Sequence, residues 1–360
     1  MEISVGFSIT GTRMAKRPSP PRPRTFVYRG GTRVVGSVLA CDASSGGDLL
    51  FLSNALGHLG GGEARPRARA PRAQILATAE TLALLGPEGD RLRARALTIG
   101  YGRPFGLGTL RLELLASGVL PGAAALFCED GERRILYAGI ARLGAPVHGA
   151  LPAAMRAANA LCIDATFGHP RFRFVARGEA TANVLTFARD ARDAGRPAVV
   201  LATALGPAQD LALALAAHGW KLRGHRTVVD AAAAYKRAGV EAATIARFSG
   251  KLARDEVLLW PATDRDAGQV KRLAGARTAW VSGWAADAEA VAQLGVDLAI
   301  PYSHCPDFEG LLAYVIATGA REVAVKNGFA ENFAAALRAK VADAYVIGPP
   351  RQIDLFGGGA

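Results

Sequence analysis

Beyond residue 150, apolar segments of strand length alternate with amphipathic segments of helix length, and this order constrains the fold more than any other feature of the chain. The predicted elements are strands at 199–203, 257–260, 298–302, 322–325 and 343–347, and helices at 208–218, 230–238, 308–318 and 330–340. Glycines that follow the helices, such as Gly219 and Gly239, are typical of helix ends. Repeated strand and helix units are typical of a parallel sheet, so the chain is predicted to be an α/β protein.

The first 140 residues favour strands instead. Alternating, β-branched segments at 25–28 and 32–39 flank Gly30-Gly31 and predict an early hairpin. The other elements predicted here are strands at 49–52, 107–115, 123–128 and 134–137 and a short helix at 77–85. The chain is therefore expected to combine a strand-rich first part with a second part of alternating strands and helices.

The loop that follows the strand at 49–52 has the position of an active-site loop but little of the chemistry. Residues 53–58 are predicted to form a tight loop before a cluster of three glycines. Its one ionisable side chain, His58, is flanked by Leu56 and Leu59. This loop therefore lacks a set of groups that could hold a metal ion or move protons.

The net charge of the chain favours a polyanionic partner. The 360 residues carry a formal charge of +12 and are 50% hydrophobic, which is enough for a substantial core in one large domain or two moderate ones. An arginine-rich composition also arises in a GC-rich genome, and a solvated rim has the same kind of sequence, so these interpretations stay open. The candidate phosphate-contacting residues lie in a loop at 63–72 and are Arg65, Arg67, Arg69 and Arg72.

Residues 1–24 are basic and proline-rich, and they are predicted to form a disordered tail, with Met14 as an alternative start of translation. The four cysteines form no C-x-x-C pair, which argues against a disulfide framework and against a structural zinc site. No apolar run reaches the roughly 20 residues of a membrane span, and no secretory signal opens the sequence. A cytoplasmic protein without membrane contact is therefore expected.

Four segments carry a resemblance to a known family. The longest reads Cys-Ile-Asp-Ala-Thr-Phe-Gly-His-Pro-Arg-Phe-Arg-Phe at residues 162–174, and the others lie at 204–209, 281–285 and 319–323. In order and spacing the chain resembles the metallo-β-lactamase-fold nucleases that carry a β-CASP insertion, and most of all the bacterial ligase-associated DNA exonucleases. The resemblance extends over roughly residues 30–356.

The resemblance implies a fold and a division into parts. An α-β-β-α sandwich like that of the metallo-β-lactamases would be built from residues 25–174 and 296–356. A Rossmann-like β-CASP domain would be inserted over residues 175–295. The cleft between the sandwich and the insertion would then be the place to look for a functional site.

The resemblance also implies where metal ligands should lie. The H-x-H-x-D-H motif of the family falls on residues 54–59, where this chain has neither the three histidines nor the aspartate. Later ligand positions also hold other residue types, and only the acidic residue that opens the insertion, Asp164, is retained. The substituted positions are Asn54, Leu56, His58, Leu59, Val119, Ile140, Cys305 and Asn327.

These substitutions remove most of the lone pairs that a two-metal phosphodiesterase needs around its ions. They would turn a polar cleft into an apolar plug, so the chain is interpreted as a catalytically degenerate member of its family with no metal cofactor. The alternative is a rebuilt zinc or manganese site made from His58, His304 and Cys305. Asp307 is a fourth candidate for this alternative site but is better explained as a helix cap.

The function implied by the resemblance lies in DNA processing. The favoured interpretation is a nucleic-acid-binding or scaffolding subunit in DNA repair, with DNA favoured as the nucleic acid and with an ATP-dependent DNA ligase, a helicase or an active paralogue as partner. The alternative is an active metal-dependent nuclease or hydrolase that uses the rebuilt site. Four tryptophans are expected to pack the inserted part, with stacking on a base as the other interpretation; they are Trp220, Trp260, Trp280 and Trp284.

Overall fold

The computed structural model describes residues 23–44, 47–56, 73–266, 268–340 and 343–349. Its strands are β1 (Phe26–Tyr28), β2 (Thr32–Val34), β3 (Leu39–Cys41), β4 (Leu49–Phe51), β5 (Gln74–Ala77), β6 (Ala96–Thr98), β7 (Phe105–Leu107), β8 (Leu110–Ala116), β9 (Ala124–Asp130), β10 (Arg133–Gly139), β11 (Ala160–Asp164), β12 (Ala198–Ala202), β13 (Lys221–Gly224), β14 (Ala246–Arg247), β15 (Glu256–Trp260), β16 (Arg277–Ser282), β17 (Leu298–Pro301), β18 (Glu322–Lys326) and β19 (Asp343–Val346). Its helices are α1 (Ala79–Leu84), α2 (Pro87–Arg93), α3 (Arg177–Asp193), α4 (Pro207–Ala217), α5 (Arg226–Arg237), α6 (Gly268–Lys271), α7 (Ala288–Leu294), α8 (Phe308–Thr318) and α9 (Ala330–Arg338). The predicted mixed α/β class is confirmed.

Two sheets pack face to face within this part of the chain. Sheet A has the order β1-β2-β3-β4-β5-β6, and sheet B has the order β19-β18-β11-β10-β9-β8-β7. Because successive side chains of a strand point to opposite faces, each sheet contributes every second residue to the shared core. This core includes Phe26, Phe51, Leu76, Leu112, Leu126 and Tyr137.

Helices cover the outer faces of both sheets. Side chains of α8 and α9, such as Leu311 and Phe333, pack on sheet B. Those of α1, α2 and α5, such as Leu82, Leu92 and Tyr235, pack on sheet A. The result is an arrangement of four layers, helices, sheet, sheet and helices, around three apolar clusters.

Sheet C has the order β14-β13-β15-β12-β16-β17, and all its strand pairs are parallel. Helices α3, α4 and α5 cover one face, and α6 and α7 lie on the other. Helix α5 also reaches the helical layer of sheet A, because Val228 packs with sheet C while Ala234 and Tyr235 pack with α1. This shared helix fixes sheet C against the sandwich.

Two local features predicted from the sequence, a hairpin and a helix cap, are present in the structure. The hairpin of β1 and β2 pairs Phe26 with Val34 across the Gly30-Gly31 turn. The Asp307 side chain caps α8 by accepting a hydrogen bond from the Gly310 N–H at 2.9 Å. These features are confirmed.

Other features differ from the sequence-based expectations. Helix α3, which spans 17 residues, was absent from the predicted elements. Strand β17 falls within residues 296–356, which were expected to belong to the sandwich, but it pairs at the edge of sheet C. The strands of sheet C lie between residues 198 and 301. The domain boundaries at 174 and 295 stay predictions. Residues 1–22 of the predicted tail lie outside the described residues, whereas Arg24 forms an ion pair with Asp343.

None of the helices in the described ranges is long and apolar enough to cross a membrane.

Candidate functional site

Three of the expected ligand positions carry apolar side chains that pack in one cluster. Val119 is fully buried in the cluster that covers the outer face of sheet A, and Leu56 and Ile140 are partly buried against it. Carbon side chains have no lone pair for a metal ion. The positions expected to surround an ion are instead filled by apolar packing.

Two glycines fix the backbone at these positions. Gly118 precedes Val119 with φ of 82°, and a Cβ there would lie 2.7 Å from the carbonyl oxygen of Arg142. Gly139 precedes Ile140 with φ of 54°, and its added Cβ would lie 3.1 Å from Ser53 Oγ. Positive φ and close approach together favour glycine, so the loops after β8 and β10 are held tightly around the cluster.

Asn54 occupies the first position of the expected motif, and its side chain serves the local turn. Its Oδ1 accepts a hydrogen bond from the Leu56 N–H at 2.8 Å, and its Nδ2 donates to Ser53 Oγ at 2.8 Å. Asparagine commonly closes turns in this way. The side chain thus shapes the loop at the end of β4.

Asp164 ends β11, and its carboxylate is occupied by neighbouring donors. Its Oδ1 accepts hydrogen bonds from the N–H and the hydroxyl of Thr166, at 2.9 and 2.6 Å. Its Oδ2 accepts one from Asn327 Nδ2 at 2.6 Å. Asn327 has φ of 63°, and the next residue, Gly328, packs directly on the Thr166 backbone. Asp164 and Asn327, both expected site residues, are therefore brought together as a clamp between the loops that follow β11 and β18.

A buried charge network lies beside this clamp. Lys326 Nζ donates a hydrogen bond to the Tyr137 hydroxyl at 2.5 Å and lies 4.0 Å from Asp42 Oδ2. The Asp42 carboxylate also accepts hydrogen bonds from the Tyr137 hydroxyl at 2.7 Å and from Ser53 Oγ at 2.6 Å. Such short contacts with charged groups are typical of strong hydrogen bonds.

The positive charge of Lys326 compensates the negative charge of Asp42 in this network. Burial would lower the pKa of Lys326, but the negative groups around it, with Asp42 the largest, outweigh burial and raise that pKa above its ordinary value. Burial, followed by the charge of Asp42, raises the pKa of Tyr137, so the phenol keeps its proton. One ammonium group thus supplies positive charge next to Asp42 and Asp164.

His304, a member of the alternative metal set, is engaged elsewhere. Its Nε2 lies 3.0 Å from Asp210 Oδ2, and its Nδ1 lies 3.1 Å from the carbonyl oxygen of Val119. The side chain is 1% exposed. Since both ring nitrogens already face oxygen atoms of the protein, neither is directed toward a metal site.

Asp210 is the partner that holds His304 in this orientation. Its Oδ2 also accepts a hydrogen bond from the Tyr302 hydroxyl at 3.0 Å. Burial alone would raise the pKa of Asp210, but the hydrogen bond from His304 and the charges nearby outweigh it, and the pKa is lowered. The pair joins α4, which packs on sheet C, to the loop that precedes α8.

Cys305 follows His304 but lies in a different environment. Burial raises the pKa of its thiol to about 12, so the group is protonated at neutral pH. His304 and Cys305 are adjacent in the chain, and among the described residues no third His, Cys, Asp or Glu side chain joins them in a group that could hold a metal ion.

The remaining expected site residues lie outside the described residues; they are His58, Leu59, Arg65, Arg67, Arg69 and Arg72. Within the described ranges, no group of three or more His, Cys, Asp or Glu side chains is placed to hold a metal ion. Zinc or manganese, the ions implied by the resemblance, would have to compete at Asp164 with hydrogen bonds, because both of its oxygens already accept from Thr166 and Asn327.

Sequence reasoning missed the residues that organise this region. Asp42, Tyr137, Lys326, Asp210 and Tyr302 were not singled out. For Lys326 a signal was present, since a lysine ends an apolar strand immediately before the Asn327-Gly328 pair. A lysine in a buried strand requires a partner, which the sequence alone does not identify.

Comparison with known proteins gives one clue to function. No model of a known protein family matches the chain. A protein of Opitutus terrae with the name "Probable DNA ligase" is 29% identical over 289 residues, which make up 78% of this chain and 28% of that protein. The chain thus spans less than a third of the relative's length.

Proposed function

We propose that the protein is a catalytically degenerate homologue of a DNA-processing exonuclease, with a metallo-β-lactamase-like sandwich and a β-CASP-like insertion. The four layers of the sandwich and the parallel sheet C support this assignment. In this proposal the protein acts in DNA repair as a nucleic-acid-binding or scaffolding subunit. Its partners are DNA and a DNA ligase, a helicase or an active paralogue.

One observation carries the proposal most strongly. Leu56, Val119 and Ile140, which stand at expected ligand positions, pack in a single apolar cluster. A nuclease of this kind needs two ions that activate a water molecule and neutralise the scissile phosphate. A protein that fills the ligand positions with carbon keeps the fold without this chemistry.

The similarity to a protein named as a DNA ligase supports a function close to DNA ligation. The chain corresponds to only part of that relative, so we propose that it works beside a ligase rather than as one. The charge of +12 favours contact with the phosphate backbone.

Binding of labelled DNA tests this function. Fluorescence anisotropy should show affinity for DNA that falls steeply between low and physiological salt, with little dependence on sequence, because phosphate contacts release counterions. No binding at low salt would contradict the nucleic-acid role. Affinity purification from the native host should recover a DNA ligase, a helicase or an active paralogue, and recovery of the bait alone would contradict the scaffolding role.

A further inference from the structure

Aromatic rings collect where three strands end. The loops after β11 and β18, which are parallel neighbours in sheet B, meet the short 3₁₀ turn Gly283–Ala286 that follows β16 of sheet C. Ligands of α/β proteins bind most often at the carboxyl ends of parallel strands. We name this group the aromatic platform; its rings are Phe167, Phe172, Phe174, Trp284 and Phe329.

The rings of the platform hold one another in fixed positions. The Trp284 ring lies 5.5 Å from both Phe167 and Phe172, and 6.0 Å from Phe329, between ring centroids. Gly283 permits this arrangement, because a Cβ there would lie 2.4 Å from the Phe167 ring. The backbone before Trp284 is therefore pressed against the phenylalanines, and the indole has a rigid support.

Trp284 remains open to solvent in spite of these contacts. Its exposed fraction is 38%, whereas the other three tryptophans, Trp220, Trp260 and Trp280, are each at most 8% exposed. Those three tryptophans are buried, as expected for side chains that pack the interior. Trp284 instead offers part of its indole to the surface.

Positive charge lies on two of the rings that support the indole. The Arg171 guanidinium stacks on Phe172 at 5.0 Å and on Phe329 at 4.8 Å, and its side chain is 43% exposed. It also forms an ion pair with Asp287 at 2.9 Å, which offsets part of its charge. Arg173, two residues further, is exposed.

We propose that the aromatic platform binds single-stranded nucleic acid, with an unpaired base stacked on Trp284 and the flanking phosphates against Arg171 and Arg173. This inference rests on the proposed nucleic-acid function and adds to it a location and a strand type. A base exposes its face only when it is unstacked, so single strands fit an open indole better than a duplex does. Stacking tolerates any base, and the arginines follow the backbone.

Intrinsic fluorescence provides a direct test with the unmodified full-length chain. Because Trp284 is the most exposed tryptophan, a base stacked on it should quench part of the emission. An oligodeoxythymidine of about 10 nucleotides should give saturable quenching. An abasic oligonucleotide with the same number of phosphates should bind more weakly and leave the emission nearly unchanged. Equal quenching by both would contradict stacking.

Variants separate the base contact from the phosphate contacts. Trp284→Ala should weaken oligodeoxythymidine binding roughly 5- to 150-fold, while Trp284→Phe should retain most of the affinity and lose the quenching. Arg173→Gln should reduce the slope of log affinity against log salt by about 0.7. Arg189→Gln is the matched control, because this exposed arginine lies near the end of α3, toward the amino-terminal ends of the sheet C strands.

The outcomes distinguish this inference from the function on which it rests. If oligodeoxythymidine binds with the expected salt dependence but Trp284→Ala binds as tightly as the unmodified chain, the platform is wrong and the nucleic-acid function stands. If no nucleic acid binds at low salt, both the platform and the proposed nucleic-acid function are wrong. Circular dichroism of Trp284→Ala checks its fold, and quenching of the unmodified chain decides the question should that variant unfold.

Discussion

His304 and Asp210 form a buried pair whose side chains are 1% and 3% exposed, with 3.0 Å between Nε2 and Oδ2. The second ring nitrogen of His304 faces the carbonyl oxygen of Val119, which stands at an expected ligand position. His304 thus links sheet C to the sandwich. The apolar packing around Val119 and this pair together close the expected ligand position.

Substitution of His304 by alanine should destabilise the protein strongly. Asp210 would keep the hydrogen bond from Tyr302 but lose its contact with His304, and leaving a buried carboxylate without such a partner typically costs about 3–5 kcal/mol of unfolding free energy. Urea denaturation measures this loss. His218→Ala is the control, because His218 is exposed on the surface, and it should change the unfolding free energy by less than about 0.5 kcal/mol. A loss of similar size in both variants would contradict the assigned role of the pair.

The same pair should make stability depend on pH on the acid side. The pKa of Asp210 is lowered from its ordinary value of 3.8, so its contribution is fully present above that value and is lost as pH falls through the lower folded value. The groups that face it are His304, Tyr302 and Arg177. Asp210→Asn should therefore differ most from the unmodified protein above about pH 4, with a difference that shrinks at lower pH. A difference that grows as pH falls would contradict this sign.

Lys326 should contribute to the stability of the fold because it compensates the charge of Asp42. Lys326→Met leaves the Asp42 carboxylate without its cation and should cost about 3 kcal/mol, the lower end for a buried pair, because the two groups are 4.0 Å apart. The double variant with Asp42→Asn should recover part of the loss, because the unpaired charge is then removed. Thermal and urea unfolding of both single variants and the double variant give the coupling. Strict additivity would show that the two residues act independently.

Introducing histidine at Val119 should destabilise the fold instead of creating a metal site. The position is fully buried among apolar side chains, so an imidazole there would lack partners and would exceed the available volume, at a cost of about 2–4 kcal/mol. Val119→Leu is the matched control, since it adds a similar volume without polarity. Stability of the histidine variant equal to that of the leucine variant, or a gain in stability on addition of zinc, would contradict the apolar plug.

The sequence could predict those parts of the fold that depend on local signals. Asp307 and Gly319 marked the ends of α8, and both lie where the helix begins and ends. Helix α3 escaped prediction because half of its buried face is alanine, which forms no apolar stripe strong enough to recognise. The edge position of β17 in sheet C depends on strand pairing, which periodicity does not specify.

The sequence could predict which positions belong to the candidate site, but it could not predict the contacts that their side chains make. The resemblance indicated Val119, Asp164 and Asn327, and the structure shows what each one touches. Their organising partners are distant in the chain: Asp210 is 94 residues from His304, and Tyr137 is 189 residues from Lys326. Contacts over such separations arise from the packing of whole elements, and no local pattern encodes them.

Metal content measured together with nuclease activity tests the central claim most directly. Elemental analysis of tag-free protein should find zinc and manganese well below one ion per chain, since binding depends on three or four protein ligands. A labelled 5′-phosphorylated oligonucleotide, incubated with manganese or zinc, should be cleaved no faster than in buffer alone. One or more tightly bound ions per chain, with cleavage abolished by His58→Ala or Cys305→Ala, would contradict the account and establish the rebuilt site.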